Sequence, residues 1–185
     1  MILHTFLLIF TAEMADKTQL MIMTLTNKYK LREVIIGMIC GALPISALSV
    51  LAGDLIGTFI PLALVKLCAA AIFLIYGLLN LKPAKEEDAH SYQFHIPTLA
   101  IAFTFLIAEL GDKTPFATVA FAADHMEHHL AVFLGASLGL IAANLIGIFA
   151  GKLLLSHINE DVVKVVSSFI FFGFGSLNIF EVFGA

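Results

Sequence analysis

The sequence predicts an all-α integral membrane protein, with six transmembrane helices arranged as two inverted-topology three-helix repeats. Three observations predict it. The 185 residues are 60% hydrophobic and 13% charged, with a mean hydropathy of +0.99, whereas a soluble domain is about half apolar and about a quarter charged. Six apolar runs are each long enough to cross the hydrocarbon layer, which takes about 20 residues of helix. One short charged motif then occurs twice, once in each half of the chain.

The six runs are Ile2–Thr26, Val34–Ile60, Leu62–Leu81, Pro97–Ala123, Leu130–Leu155 and Val162–Phe183. The first has no basic lead-in and no small-residue cleavage site, so it reads as a retained helix and not a removable leader. The charged stretch "NKYKLRE" ends it. Pro61 opens the third helix after a very short turn, because proline fits the first helical position. "KPAKEEDAHSYQFH" is the one true linker, and Pro97 starts the fourth helix. "DHMEHH" and "SHINED" separate the last three. Residues 1–82 and 97–185 thus form two three-helix units within one membrane domain, joined by a linker at 83–96.

Charge sets the orientation. With six spans, the loops after helices 1, 3 and 5 lie on one side, and that side holds Lys28, Lys30, Arg32, Lys82, Lys85 and Lys152. The opposite side offers only Lys66. Positive residues stay cytoplasmic, which makes the linker cytoplasmic and both termini extracytoplasmic. The net charge of -4 gives no reason to expect a nucleic-acid partner. Cys40 and Cys68 have neither metal-ligand nor disulfide-framework spacing and read as packing residues.

"AEMADKT" at 12–18 recurs as "AELGDKT" at 108–114, an offset of 96. Further along the offset is 98: Gly37, Gly41 and Gly53 match Gly135, Gly139 and Gly151, and Lys66, Gly77 and Asn80 match Lys164, Gly175 and Asn178. An odd number of helices per unit makes the second copy enter the membrane from the other side. Transporters use such inverted repeats to alternate access to a midplane site. Channels and enzymes are also built by duplication, so the repeat favours transport without deciding it.

The motif places Glu13, Asp16 and Lys17 inside an apolar run, and Glu109, Asp112 and Lys113 inside another. Glu13 lies about 16 Å along its helix at 1.5 Å per residue, close to the bilayer centre. On an unbroken helix each trio shares a face. A charge at that depth costs at least about 2.5 kcal/mol, so the six groups are expected to meet one another or a ligand. Four carboxylates and two lysines sum to -2, a charge that one divalent cation or two protons would neutralise. That equivalence is the basis of cation/proton exchange. The plainer reading is that Glu13–Lys17 and Glu109–Lys113 are i,i+4 ion pairs that only let the helices cross. It leaves both aspartates unexplained, so exchange is preferred.

The two copies differ locally. Pro115 has no N–H for the Gly111 carbonyl and crowds it, which predicts a bend in helix 4 that frees backbone oxygens. The first copy has Ala15 and Gln19 in the matching places. It is expected to stay straight, with the Gln19 side chain as a substitute oxygen donor. Carboxylate, amide, hydroxyl and carbonyl oxygens suit hard cations such as Ca²⁺, Mn²⁺ and Mg²⁺, and not Zn²⁺ or Cu⁺.

Two copies of a Glu-x-Gly-Asp-Lys-Thr motif, one per three-helix half with an acidic linker between, resemble the signature of the Gdt-one (transmembrane protein 165) family. That resemblance covers nearly the whole chain. It implies a manganese or calcium transporter that exchanges its cation for protons, and in bacteria an exporter of Mn²⁺ in the inner (plasma) membrane. By matching positions it implies Glu13, Asp16, Glu109 and Asp112 as the cation-binding acids, supported by Lys17, Thr18, Gln19, Gly111, Lys113 and Thr114. Ala15 departs from the motif, which has glycine there. The expected activity is therefore secondary transport, not enzymatic catalysis. It needs no cofactor, the cation being cargo and protons the counter-ion. A membrane-embedded metal-dependent hydrolase and a passive cation channel are the alternatives. The first lacks a nucleophile beside a base and any intramembrane arginine, and the second makes little use of two inverted motifs.

Gly-x-x-x-Gly patterns at 37/41, 53/57, 135/139 and 147/151 allow close helix approach. Packing within the chain, against helices 1 and 4, is the preferred use, with pairing of two copies the other, so the state is monomer or homodimer. "HMEHH" at 125–129 misses the spacing of a metalloprotease motif by one residue and reads as a solvated loop.

Overall fold

The computed structural model describes residues 1–14, 16–26, 28–81, 96–110, 112–154 and 160–183, and among these every element is helical. In chain order they are α1 (Ile2–Glu13), α2 (Lys17–Thr26), α3 (Leu31–Phe59), α4 (Leu62–Asn80), α5 (Pro97–Glu109), α6 (Lys113–Asp124), a 3-10 turn (Met126–His128), α7 (His129–Leu154) and α8 (Glu160–Phe183). Two helical stretches, Leu31–Phe59 and Met126–Phe149, are long and apolar enough to cross a bilayer unbroken. Shorter apolar helices run over Ile2–Glu13, Ala63–Ile75, Pro97–Glu109 and Phe171–Phe180. The linker at 83–95 and most of "SHINED" lie outside the described residues.

The sequence predicts a bend in the second motif alone, yet both motifs break their helices, and at matching residues. α1 stops at Glu13, with Met14 extended at φ -62° and ψ 130°. α5 stops at Glu109, and Asp112 is extended at φ -93° and ψ 171° ahead of α6. In each break the aspartate N–H donates to the glutamate carbonyl, Asp16 to Glu13 at 3.2 Å and Asp112 to Glu109 at 3.0 Å. The expectation of a straight first helix is therefore wrong, because Pro115 is not what opens the second. It is the third residue of α6, where the N–H has no intrahelical acceptor in any helix. What the two copies share is an aspartate immediately before a new helix, and the Asp112 side chain makes no capping bond there. Ala15 and Gly111 lie outside the described residues, so the backbone oxygens expected there are not placed.

The helices pack in exchanged pairs. α3 lies against α5 and α6, α7 against α1 and α2, and α4 against α8. Glycines set how close they come. A Cβ on Gly37 would sit 2.8 Å from the Thr98 carbonyl oxygen, and one on Gly135 would sit 2.6 Å from that of Ile2. Gly41 faces the Ala102 carbonyl at 2.7 Å and Gly139 the Phe6 carbonyl at 2.8 Å. Gly77 abuts Phe172, and Gly175 abuts Leu74. Each contact in one half thus has its counterpart in the other at the sequence offsets of 96 and 98. The described glycines of the Gly-x-x-x-Gly patterns pack within the chain, as preferred. Gly41→Ala and Gly139→Ala are each expected to destabilise the protein by about 1–3 kcal/mol, since the obstacle is backbone that has to move. Thermal unfolding in detergent reads this out. A midpoint equal to that of the parent protein for either variant would contradict it.

Large apolar side chains cover the outside of the molecule as well as its core. Leu51, Leu55, Phe59, Leu130, Phe169 and Phe180 are exposed. Glu13, Glu109, Lys113, Thr18, Thr114, Thr118, Ser46, Ser49 and Asn144 are buried. An apolar exterior, with these polar and charged groups turned inward, is what hydrocarbon solvent demands. Cys40 and Cys68 are exposed and free, not packed inside as expected. The 3-10 turn at "HMEHH" is exposed, in keeping with a solvated loop.

Candidate cation site

Each break delivers one glutamate and one aspartate to the interior. Glu13 is the last residue of α1 and is 0% exposed. Its Oε1 accepts from Asn144 Nδ2 of α7 at 3.3 Å. Glu109 ends α5, also 0% exposed, and its Oε2 accepts from the Thr114 hydroxyl at 2.9 Å. Asp112 precedes α6 without its side chain capping that helix, which leaves the carboxylate for the interior.

Glu13, Asp16 and Asp112 bring one carboxylate oxygen each to within 4.8 Å of one another. Acids from both copies of the motif therefore converge. Glu109 stands outside this trio but within electrostatic reach of Glu13 and Asp16. Lys113 supplies positive charge, its Nζ lying 3.2 Å from Asp16 Oδ1. The i,i+4 pair between Glu109 and Lys113, the plainer reading of the spacing, gives way to this contact between the two motifs. The cause is the helix break, which removes the shared face that the spacing presumes. The Lys17 side chain lies outside the described residues.

Gln19 donates its Nε2 to the Ala143 carbonyl of α7 at 2.6 Å and so ties α2 to that helix. Thr18 is buried beside the break. Asn178 donates to the Phe174 carbonyl at 2.9 Å in its own helix. The Asn80 side chain is outside the described residues. A cavity with room for about one water molecule adjoins the site, with Ser46, Ser49, Thr114 and Thr118 as its polar lining.

Among the described residues, Glu13 Oε2, Glu109 Oε1, Asp112 Oδ2 and Asn144 Oδ1 are buried and have no hydrogen-bond partner. Buried acceptors are almost always paired. Two of these acids, Glu13 and Asp112, belong to the converging trio, and such unpaired oxygens can be satisfied by either a cation or protons. The sequence reading missed Asn144. Its only signal there is an amide inside the long apolar run at 130–155, and its repeat mate, Ser46, carries no matching amide.

An apolar exterior, broken helices and an interior of buried acids describe a membrane protein that handles cations. The sequence pattern of the family described as "Divalent cation/proton antiporter GDT1" matches residues 1–88 and 97–184. The chain belongs to that family, and it is a transporter and not an enzyme. It is 31% identical to the GDT1-like protein sll0615 of Synechocystis sp. (strain ATCC 27184 / PCC 6803 / Kazusa), with 91% of each chain covered. It is 28% identical to a Vibrio cholerae protein named "Putative manganese exporter", over 86% of this chain and 80% of that one. The Arabidopsis thaliana protein named PAM71-homolog, chloroplastic, is 26% identical, over 96% of this chain and 58% of its own length. No solved structure matches the chain.

Proposed function

We propose that this antiporter exports Mn²⁺ from the cytoplasm in exchange for protons, through one midplane site made by Glu13, Asp16, Glu109 and Asp112. The observation that carries the reading is the convergence, to within 4.8 Å, of carboxylate oxygens from two motifs 96 residues apart. Four acids with two lysines carry a net charge that one divalent ion or two protons cancel. The cation and the protons then compete for the same oxygens, and occupancy by one excludes the other. Lys113 restrains the carboxylates between the two loaded states.

The oxygen-only donor set is equally suited to Ca²⁺, and manganese is preferred because of the Vibrio cholerae relative. The architecture that serves this activity is six spans in two inverted three-helix units, residues 1–82 and 97–185, with a cytoplasmic linker at 83–96. Support comes from the paired helix breaks and from glycine contacts that recur in the two halves. The distribution of Lys and Arg favours extracytoplasmic termini in a bacterial inner membrane. An inward proton gradient drives the cation out.

Proteoliposomes test this directly. An imposed Mn²⁺ gradient is expected to drive proton movement the other way, and an imposed pH gradient to drive Mn²⁺ uphill. Mn²⁺ flux indifferent to the pH gradient would overturn exchange in favour of a passive pathway. Competition among Mn²⁺, Ca²⁺ and Mg²⁺ in the same vesicles ranks the substrates.

A further inference from the structure

We infer that Asn144 of α7 is a neutral oxygen ligand of the transported cation, and that it makes the two halves of the site chemically unequal. The inference rests on the carboxylate site proposed above and extends it to a helix outside both motifs.

The side chain is 0% exposed. Its Nδ2 donates to Glu13 Oε1 at 3.3 Å and to the Leu140 carbonyl at 2.9 Å. Those two acceptors fix the amide orientation. Turned over, Oδ1 would face a carboxylate and a carbonyl oxygen with no proton between them. The two nitrogen bonds thus leave Oδ1 as a buried acceptor with no partner among the described residues. An unpaired amide oxygen in such a place is costly, and it sits on the residue that also holds Glu13, itself a member of the converging trio.

A cation there would gain an uncharged oxygen without adding to the charge that protons must later balance. Amide oxygens are ordinary ligands of hard cations. At the offset of 98 the matching residue on α3 is Ser46, which is buried and lines the small cavity next to Thr114. Glu13 thus has an amide neighbour where the matching residue on the other side carries a hydroxyl. The cation is accordingly held closer to the Glu13 side, with the trio, than to Glu109.

Mn²⁺ binding to the purified protein, followed by the electron paramagnetic resonance of the free ion, tests the assignment. Asn144→Ala is expected to weaken Mn²⁺ binding by at least about tenfold. Asn144→Asp keeps an oxygen at this position while losing both N–H donations, and is expected to bind within about threefold of the parent protein, since the bound ion offsets the added charge. A residue that only positioned Glu13 would lose binding equally in both variants. That result overturns the ligand role, as does unchanged binding by Asn144→Ala. Should Asn144→Ala fail to fold, Asn144→Asp decides alone: binding kept supports the inference, binding lost overturns it. Glu13→Gln separates the two levels. If it loses Mn²⁺ while Asn144→Ala binds normally, the carboxylate site stands and only this inference falls. If Glu13→Gln itself binds normally, the site fails first.

Discussion

Glu13→Gln is expected to abolish Mn²⁺-driven proton movement and to weaken Mn²⁺ binding by more than about 100-fold. Loss of an outer-shell partner already costs about 10- to 100-fold in metal affinity, and a direct ligand costs more. The substitution preserves shape. An amide oxygen can still accept from Asn144, at the place where Glu13 Oε1 now does so at 3.3 Å, so the fold should survive. What changes is the other oxygen. Oε2 is buried and has no donor among the described residues, and glutamine replaces it with an N–H₂ that repels a cation and holds no exchangeable charge. Glu109→Gln should stop transport as completely. Its effect on equilibrium binding should be smaller, because Glu109 lies outside the trio that converges within 4.8 Å. Equal retention of transport by both variants would remove the acids from the mechanism.

The second large effect is expected at Lys113. Its ammonium, 3.2 Å from Asp16, is the positive charge seen to join the two motifs. Lys113→Met leaves the converging carboxylates without it. Removing one partner of a buried pair costs about 3 kcal/mol, and for a chain of this size that lowers a thermal midpoint by about 10 °C. Mn²⁺ should restore part of the loss, since a divalent ion bound only to the folded protein supplies the missing charge and stabilises by mass action. The expected signature is a lower midpoint without metal and a larger rise with metal than the parent protein shows. A variant as stable as the parent protein without metal, and no more responsive to it, would contradict this role.

Much of this arrangement is legible in the residues, because the strongest constraints are local and periodic. Apolar runs announce the helices, and the recurrence of Glu-x-x-Asp-Lys-Thr announces two related sets of acids, though not the break in the first. What misled was attributing a break to proline alone. Pro115 is a conspicuous signal, but the structure accommodates it within a first turn that needs no N–H. The quieter shared aspartate precedes a new helix in both copies. Once the helices part at residues 14–16 and 110–112, spacing rules for an unbroken helix no longer apply, which is why Lys113 meets Asp16 and not Glu109. Asn144 was invisible for a different reason. It belongs to no motif and has no amide mate in the other half, and its meaning depends on α7 lying against α1, a contact between residues 131 positions apart.

The crossed glycine contacts carry a mechanical consequence. Because α3 grips α5 while α7 grips α1, with backbone almost touching backbone, neither chain half is a separable object. Each is completed by the other's leading helix, like two hooks that have caught. A rearrangement gentle enough to keep those grips must carry α1 together with α7, and α3 together with α5, as bodies stitched from opposite ends of the polypeptide. The seam along which the molecule can shear therefore runs between these mixed bundles, and the acids at residues 13 and 109 ride on opposite sides of it.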